Sequence, residues 1–514
     1  MLYDNRDLSE LLGTLDLGSS VAEHDNLLEG ARVETSAFTD ILNDRVDLVP
    51  GTKGSGKSAL YRIFVDFLPD YLLQARKVVI AHGVQRTGDE VFHAFEKRFK
   101  KMDEQDFVNF WCIYFVSLAH EHFVKSERYD TYLRGGEQEI KAFRNACQAA
   151  SIPEFRKQRN LKEVLDWAIE VTRVWKPKLS YRPPGDIGQF EVDLFGKVGE
   201  SAETIRRGKN ELPVYAADVR KKLEGILEKV DLSLWLMVDR LDEIFPRRSE
   251  LETRALRGLL RTLRVFESPE IRIKVFLRDD ILEQVIANGK GFTALTHVTA
   301  RQADTLRWSE EQILAMIVNR CFSARNSDMI RYFEVDTERL GASHQYRQED
   351  FYSIFPPTVH RGEKQSRTLR WIYTHTQDGR GVVTPRDVLE LLTRAKQHQQ
   401  DLFTANPSGQ SQYLVNAPAI RYGLIQLSRR KTETYLHAEF PQLWPYIERF
   451  RGGKTEYTER ALRRLLGSGH REITLDLVSI GLMGVERRKG KAVAYKFPFI
   501  YREGLELTQG RASS

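Results

Sequence analysis

At 514 residues, with 41% hydrophobic and 29% charged side chains, the chain is globular and too long for one core, so about three domains are expected. No stretch reaches the roughly eighteen unbroken apolar residues of a membrane span, and the nearest, Phe107 to Leu118, carries Asn109 and reads as a buried helix. The net charge of +6 is uneven, because Arg421 to Ser514 holds 18 Lys plus Arg against 10 Asp plus Glu.

The start, MLYDNRDLSELL, has neither the basic patch nor the apolar run of a secretory signal, and a cytoplasmic protein with no membrane partner is expected. Cys112, Cys147 and Cys321 are scattered, which indicates neither a disulfide framework nor a zinc site. Residues 1–44 run from an amphipathic DLSELLGTLDL through GSSVAEHD to a helical ETSAFTDILND, and form an N-terminal segment.

Arg45 to Pro50 (RVDLVP) reads as a short buried strand and Ala59 to Leu68 (ALYRIFVDFL) as an apolar-faced helix. Between them GTKGSGKS, residues 51–58, fits the phosphate-loop pattern G-x-x-x-x-G-K-[ST] at every fixed position. Gly51, Gly54 and Gly56 let the backbone curl into a nest of N–H donors, and the following helix turns its N-terminus to the anion. Lys57 supplies a point charge to the β- and γ-phosphates of ATP, Ser58 a hydroxyl to Mg²⁺, and Lys53 and Ser55 further donors. With a nucleotide there, Val21, Ala22 and Glu23 can pack over its base; the alternative is that the N-terminal segment is a plain brace.

A second strand, Lys77 to Gly83, precedes two helices, Asp89 to Lys101 and Glu104 to Phe123. Residues 125 to 210 read as an insertion in the core, with polar helices and a possible hairpin within KPKLSYRPPGDIGQFEVDLFGK. A helix from Pro213 to Val230 leads into the apolar run LSLWLMV, residues 232–238, a buried parallel strand ending in Asp239. An acid there can hold the Mg²⁺ water shell, and Asp242 or Glu243 can orient or deprotonate an attacking water. After a leucine-faced, arginine-rich helix, Leu251 to Phe266, the strand Ile271 to Leu277 ends at Arg278, a candidate sensor of the γ-phosphate. Arg247, Arg248, Arg254 and Arg257 are alternatives as arginine fingers across a subunit boundary, or form a solvated basic face.

Trp308 begins a helical section that runs to about residue 400, and within it Thr384 caps, Pro385 opens and Arg386 sits on the first turn of a helix. Arg386 there can reach a γ-phosphate and couple helical-domain closure to nucleotide state. ANPSGQSQ, residues 405–412, is the best linker. Beyond it helices lead to MGVERRKGKAVAYKFPF, which alternates about a Lys-Gly turn crowded by Arg487, Arg488, Lys489 and Lys491. Helices followed by a basic hairpin make a winged helix whose wing can lie along double-stranded DNA, or a module that binds only protein.

These residues together resemble the signal-transducing (STAND) and origin-recognition-like branches of the AAA+ P-loop ATPases, over about residues 15 to 400. The placement rests on VDRLDEIF, which looks like a D-x-x-D-E extended Walker B, and TPRDVLELL, which looks like a sensor 2 helix. The resemblance implies an α/β fold: a P-loop NTPase parallel sheet flanked by helices at 45–305, a helical lid at 306–404 and a C-terminal winged helix at 413–514. It also implies Lys57 and Ser58 on phosphate and Mg²⁺, Asp239 on the metal, Asp242 or Glu243 on water, and Arg386 on a sensor 2 helix. Two departures, Arg278 in place of Asn or Thr and the long insertion, count against strong turnover and fit a slow switch. Bacterial proteins of this kind are frequently associated with phage defence or mobile elements. The function expected is a nucleotide-controlled ATPase switch coupled to DNA, as a homo-oligomer; the alternative is a regulatory scaffold that holds ATP and controls a separate effector protein. No LSGGQ-like or N-K-x-D signature points to a transporter ATPase or a GTPase.

Overall fold

The computed structural model describes residues 2–83, 102–149, 180–181, 190–191, 216–241, 249–287, 300–340, 343–362, 364–488 and 491–512. The expected helix at 89–101, much of the insertion, and Asp242, Glu243, Arg247, Arg248 and Lys489 lie outside the described residues. The chain divides into two compact units, one of residues 36–52 and 57–305, the other of residues 1–35, 53–56 and 306–514.

The first unit is built on four parallel strands: β1 (Leu48–Gly51), β2 (Val78–His82), β3 (Ser233–Val238) and β4 (Ile271–Arg278). Their order across the sheet is β1-β4-β3-β2. The strands are apolar without alternation because most of their positions are buried on both faces, as a parallel sheet covered by helices requires. The helix α1 (Lys57–Arg62) follows β1 and continues as a π-helical turn, Ile63–Phe67. The helix α2 (Glu104–Ala119) starts at a capping box between Asp103 and Asp106, and every residue from Phe107 to Ala119 is buried. A third helix, α3 (Ala216–Val230), leads into β3.

The helix α4 (Glu250–Val265) is capped by Ser249 and lies against α2, where the Trp111 indole donates to the Ala255 carbonyl at 2.8 Å. Gly258 permits this approach, since a Cβ there would stand 2.5 Å from that of Phe107. The arginine-rich side of α4 is bonded within the unit. Arg254 donates to the Met102 carbonyl at 2.9 Å, Arg257 to the Val285 carbonyl at 3.1 Å, and Arg261 pairs with Glu104 at 2.6 Å. In the insertion, Ser180–Tyr181 pairs antiparallel with Phe190–Glu191, the hairpin the sequence suggested.

A buried ion cluster fastens β4 to the approach to β1. Lys274 on β4 has no exposed side-chain surface; its ammonium bonds Asp44, the Val46 carbonyl at 2.7 Å and Asp47 at 2.8 Å, over the Trp235 ring. Arg301 spans the same acids, at 2.5 Å to Asp47 and 2.9 Å to Asp44. Burial pushes the Asp44 carboxyl up, but Lys274, Arg301 and Arg272 outweigh it and hold the group below its ordinary range.

In the second unit the first residues are fixed rather than trailing. Tyr3–Asp4 pairs with Gln410–Ser411, and the helix Asn5–Thr14 is capped by Asp4. The turn that follows is set by a buried ion pair, with Arg320 bonded to Asp25 at 2.5 and 3.1 Å and to the Leu17 carbonyl at 2.8 Å. Gly18, at φ +72°, touches this pair so closely that a Cβ would meet Arg320 and Asp25 at 2.3 Å. The helices α5 (Glu310–Cys321), α6 (Pro385–Ala405) and α7 (Ala417–Arg430) follow, α5 from a capping box between Ser309 and Gln312.

The C-terminal residues have winged-helix topology: β5 (Lys454–Tyr457), α8 (Glu459–Leu466), α9 (His470–Ser479), then the hairpin β6 (Gly484–Arg488) and β7 (Lys491–Lys496). A last strand, β8 (Thr508–Arg511), runs parallel to β5, giving the order β6-β7-β5-β8. Among the described residues no helix is long and apolar enough to cross a membrane.

Candidate functional site

The phosphate-loop sequence leaves β1 at Gly51 and enters α1 at Lys57, the strand, loop, helix order that the motif requires. Gly54 and Gly56 have φ of +85° and +98°, in the left-handed region that a side chain disfavours. The Lys57 ammonium donates to the carbonyls of Gly51 at 2.7 Å and Thr52 at 2.9 Å. The hydroxyls of Thr52 and Ser55 are buried and make no hydrogen bond among the described residues. Orphaned donors, left-handed glycines and a helix N-terminus in one loop fit a phosphate chain. Ser58 is the second residue of α1.

The parallel register sets what stands beside the loop. Arg278, at the end of β4, is directly opposite Gly51. The residue is 7% exposed and its guanidinium donates to both oxygens of Asp280, from Nε at 3.0 Å and from Nη2 at 2.8 Å. On the next strand β3 ends at Val238, followed by the buried Asp239. Arg240 then has φ +58°, which for a non-glycine stores roughly 1–3 kcal/mol of strain of the sort found at functional sites. All three features lie at the carboxyl ends of parallel strands, where open α/β sheets bind ligands. Asp242 and Glu243 lie outside the described residues.

The loop tip, residues 53–56, makes its contacts within the second unit. Lys53 pairs with Glu439, whose side chain is 4% exposed. Gly54 lies against the first turn of α6, where a Cβ would stand 3.2 Å from that of Arg386 and 3.3 Å from the Thr384 hydroxyl. The Ser55 carbonyl accepts from the Trp308 indole at 2.8 Å. Arg386 also donates to the Ser20 carbonyl at 3.3 Å, which brings it to the segment holding Val21, Ala22 and Glu23; Val21 is 38% exposed. Thr384 caps α6 by accepting from the Asp387 N–H at 3.2 Å, and Asp387 in turn pairs with Lys431.

Three residues of this neighbourhood escape sequence reasoning. Trp308 and Glu439 lie more than 250 positions from the loop and match no motif, and the left-handed conformation of Arg240 has no compositional mark. Among the described residues no group of three His, Cys, Asp or Glu side chains is placed to hold a metal ion. Burial pushes the thiols of Cys112, Cys147 and Cys321 up to about 12, which leaves them inert at neutral pH.

Trp308→Phe is expected to cost about 1 kcal/mol of stability, one hydrogen bond, and to remove most of the tryptophan emission change on adding Mg²⁺-ATP. Fluorescence titration of the two proteins side by side reads this directly.

A parallel sheet in which β1 runs through a left-handed glycine loop into a helix, with a buried acid at the end of β3, is the P-loop α/β architecture, here with a C-terminal winged helix. No protein-family model matches the sequence, and no curated protein does. Among solved structures the chain is similar to Cdc6p from Pyrobaculum aerophilum at 10% identity and a TM-score of 0.22, over 59% of this chain and 73% of that one.

Proposed function

We propose that the chain binds ATP at residues 51–58 and hydrolyses it slowly as a Mg²⁺-dependent switch whose output is duplex DNA engagement. The observation that carries this reading is the loop itself, with its left-handed Gly54 and Gly56 and its buried, unpartnered Thr52 and Ser55 hydroxyls. Lys57 would turn from its two carbonyls to the β- and γ-phosphates, and Gly51, Lys53, Gly54, Ser55 and Gly56 would line the phosphate chain. Mg²⁺ on Ser58 and Asp239 would neutralise phosphate charge. Asp242 or Glu243 would position the water, Arg278 would sense the γ-phosphate, and Val21 would cover the base.

The domains we assign are 1–44, 45–305, 306–404 and 413–514. The contacts of the loop tip support a switch among them, because Lys53 reaches Glu439 in the last segment while Gly54 touches Arg386 in the lid segment. A nucleotide that recruits Lys53 competes with Glu439 for one ammonium. Glu439→Gln is therefore expected to tighten ATP binding about threefold to tenfold, since the competing pair is weakened by roughly a kcal/mol. Unchanged or weaker binding in a calorimetric titration would remove this coupling from the account.

One observation favours a second reading, in which ATP is held structurally and the assembled homo-oligomer controls an effector protein. Arg278 is engaged by Asp280, and Arg254 and Arg257 by backbone carbonyls, so none of these guanidinium groups is poised to stabilise a transition state. Turnover below about one per minute with ATP retained would select it. Membership of the STAND or origin-recognition-like branch, and a role in phage defence, belong to the first reading, the nucleotide-controlled switch.

A further inference from the structure

The winged-helix module divides its surface charge in an unexpected way. In such a module the helix before the hairpin is the one that reads a DNA groove, and here that is α9. Its exposed face presents Arg471, Glu472, Leu475, Asp476 and Ser479. Two acids against one base repel phosphate, and Leu475, 68% exposed, offers no hydrogen bond to a base edge.

The preceding helix, α8, is the opposite. Ala461, Leu462 and Leu466 are buried, and on its outer side Arg460, Arg463 and Arg464 are all exposed. Spacings of three and four residues put these guanidinium groups on one face, and none has a hydrogen bond or ion pair among the described residues. The neighbouring acid, Glu459, is turned to Arg471 at 3.4 Å. Arg449 extends the patch at the C-terminal end of α8, donating to the Leu465 and Leu466 carbonyls at 3.3 and 3.2 Å. Like charges so spaced disfavour the helix that carries them, and an anionic surface relieves the repulsion. Arginine's planar fork suits phosphate oxygens better than lysine does.

We infer that duplex DNA is held on α8, through its phosphate backbone, by Arg460, Arg463 and Arg464 with Arg449 beside them, and that α9 does not enter the groove. Neither helix carries Phe, Tyr or Trp to stack unpaired bases, which favours a duplex over a single strand. Binding is consequently independent of sequence and steep in salt. The inference rests on the DNA output proposed above, and names the surface that delivers it.

The test is fluorescence anisotropy of a 30-base-pair duplex with the full chain, at several salt concentrations, for wild type, R460Q/R463Q/R464Q and E472Q/L475S. Because all five positions are exposed, matching thermal melts and matching ATP titrations will show that the variants are folded and that nucleotide binding stands apart. The arginine variant is expected to lose at least tenfold in affinity at low salt and to flatten the slope of log affinity against log salt by about two to three. The α9 variant should bind within twofold of wild type. Wild-type duplex affinity from the arginine variant, a tenfold loss from the α9 variant, or no duplex binding by wild type would each overturn the inference, and the last would leave ATP binding untouched. Equal affinity for single-stranded DNA or RNA would overturn the assignment to a duplex.

Discussion

Replacing Lys57 by Ala is expected to weaken Mg²⁺-ATP binding by about a hundredfold or more while leaving the protein folded. The ammonium donates to the carbonyls of Gly51 and Thr52, at 2.7 and 2.9 Å, so it is held at the start of the loop. Two charge-assisted hydrogen bonds to phosphate oxygens, each worth about 1.5–3 kcal/mol, account for a loss of that size at about 1.4 kcal/mol per tenfold. The stability cost should be near 1 kcal/mol, about one net hydrogen bond at a half-buried side chain. Glu243→Gln should behave differently, retaining ATP and losing turnover, if that residue handles the attacking water. Comparing the two by calorimetry and by phosphate release separates binding from chemistry. Equal ATP affinity in wild type and the Lys57 variant would mean that the nucleotide, if any, sits elsewhere.

Lys274→Ala is expected to be the most destabilising single change in the sheet unit, at about 3–5 kcal/mol, because it leaves two carboxylates short of their central partner. Lys274 is fully buried and holds Asp44 and Asp47 together at the start of β1, the strand that delivers the phosphate loop. Urea unfolding should show the transition of this unit moving to lower denaturant. The cluster also sets a pH dependence. The Asp44 carboxyl is held below its ordinary value of 3.8, so its contribution is fully present above that value and is lost as the pH falls through the lower folded one. Wild type should therefore lose melting temperature below about pH 4. The Lys274 variant, already deprived of the main attraction, should lose less over the same interval. A parallel acid profile in both proteins would show that Asp44 is not coupled to Lys274 as its geometry implies.

Much of the core was legible because its signals are local. Unbroken apolar runs such as LSLWLMV and IRIKVFL mark strands buried on both faces, and β3 and β4 lie within a residue or two of those runs. The cap at Thr384 and the capping box at Ser309 fix helix starts from residues a few positions apart. The loop could be read for the same reason, since glycines that must be left-handed are the chemistry of the motif. What stayed hidden is long-range. Nothing in the order of residues couples Lys53 to Glu439 or Ser55 to Trp308. The basic face assigned to α4 was legible only as charge; partners such as the Met102 and Val285 carbonyls, which turn those arginines inward, appear with the packing. The wing drew attention because its charges are contiguous, whereas α8 shows its arginines as one surface only once its buried side is known.

The central claim is that residues 51–58 bind ATP, and the most direct test is a calorimetric titration of the purified full chain with ATP in the presence of Mg²⁺. A saturable isotherm near one site per chain, with a dissociation constant between about 1 μM and 1 mM and no such isotherm from the Lys57→Ala protein, is the predicted result. Absence of binding heat together with an unmoved melting temperature at millimolar ATP would contradict it.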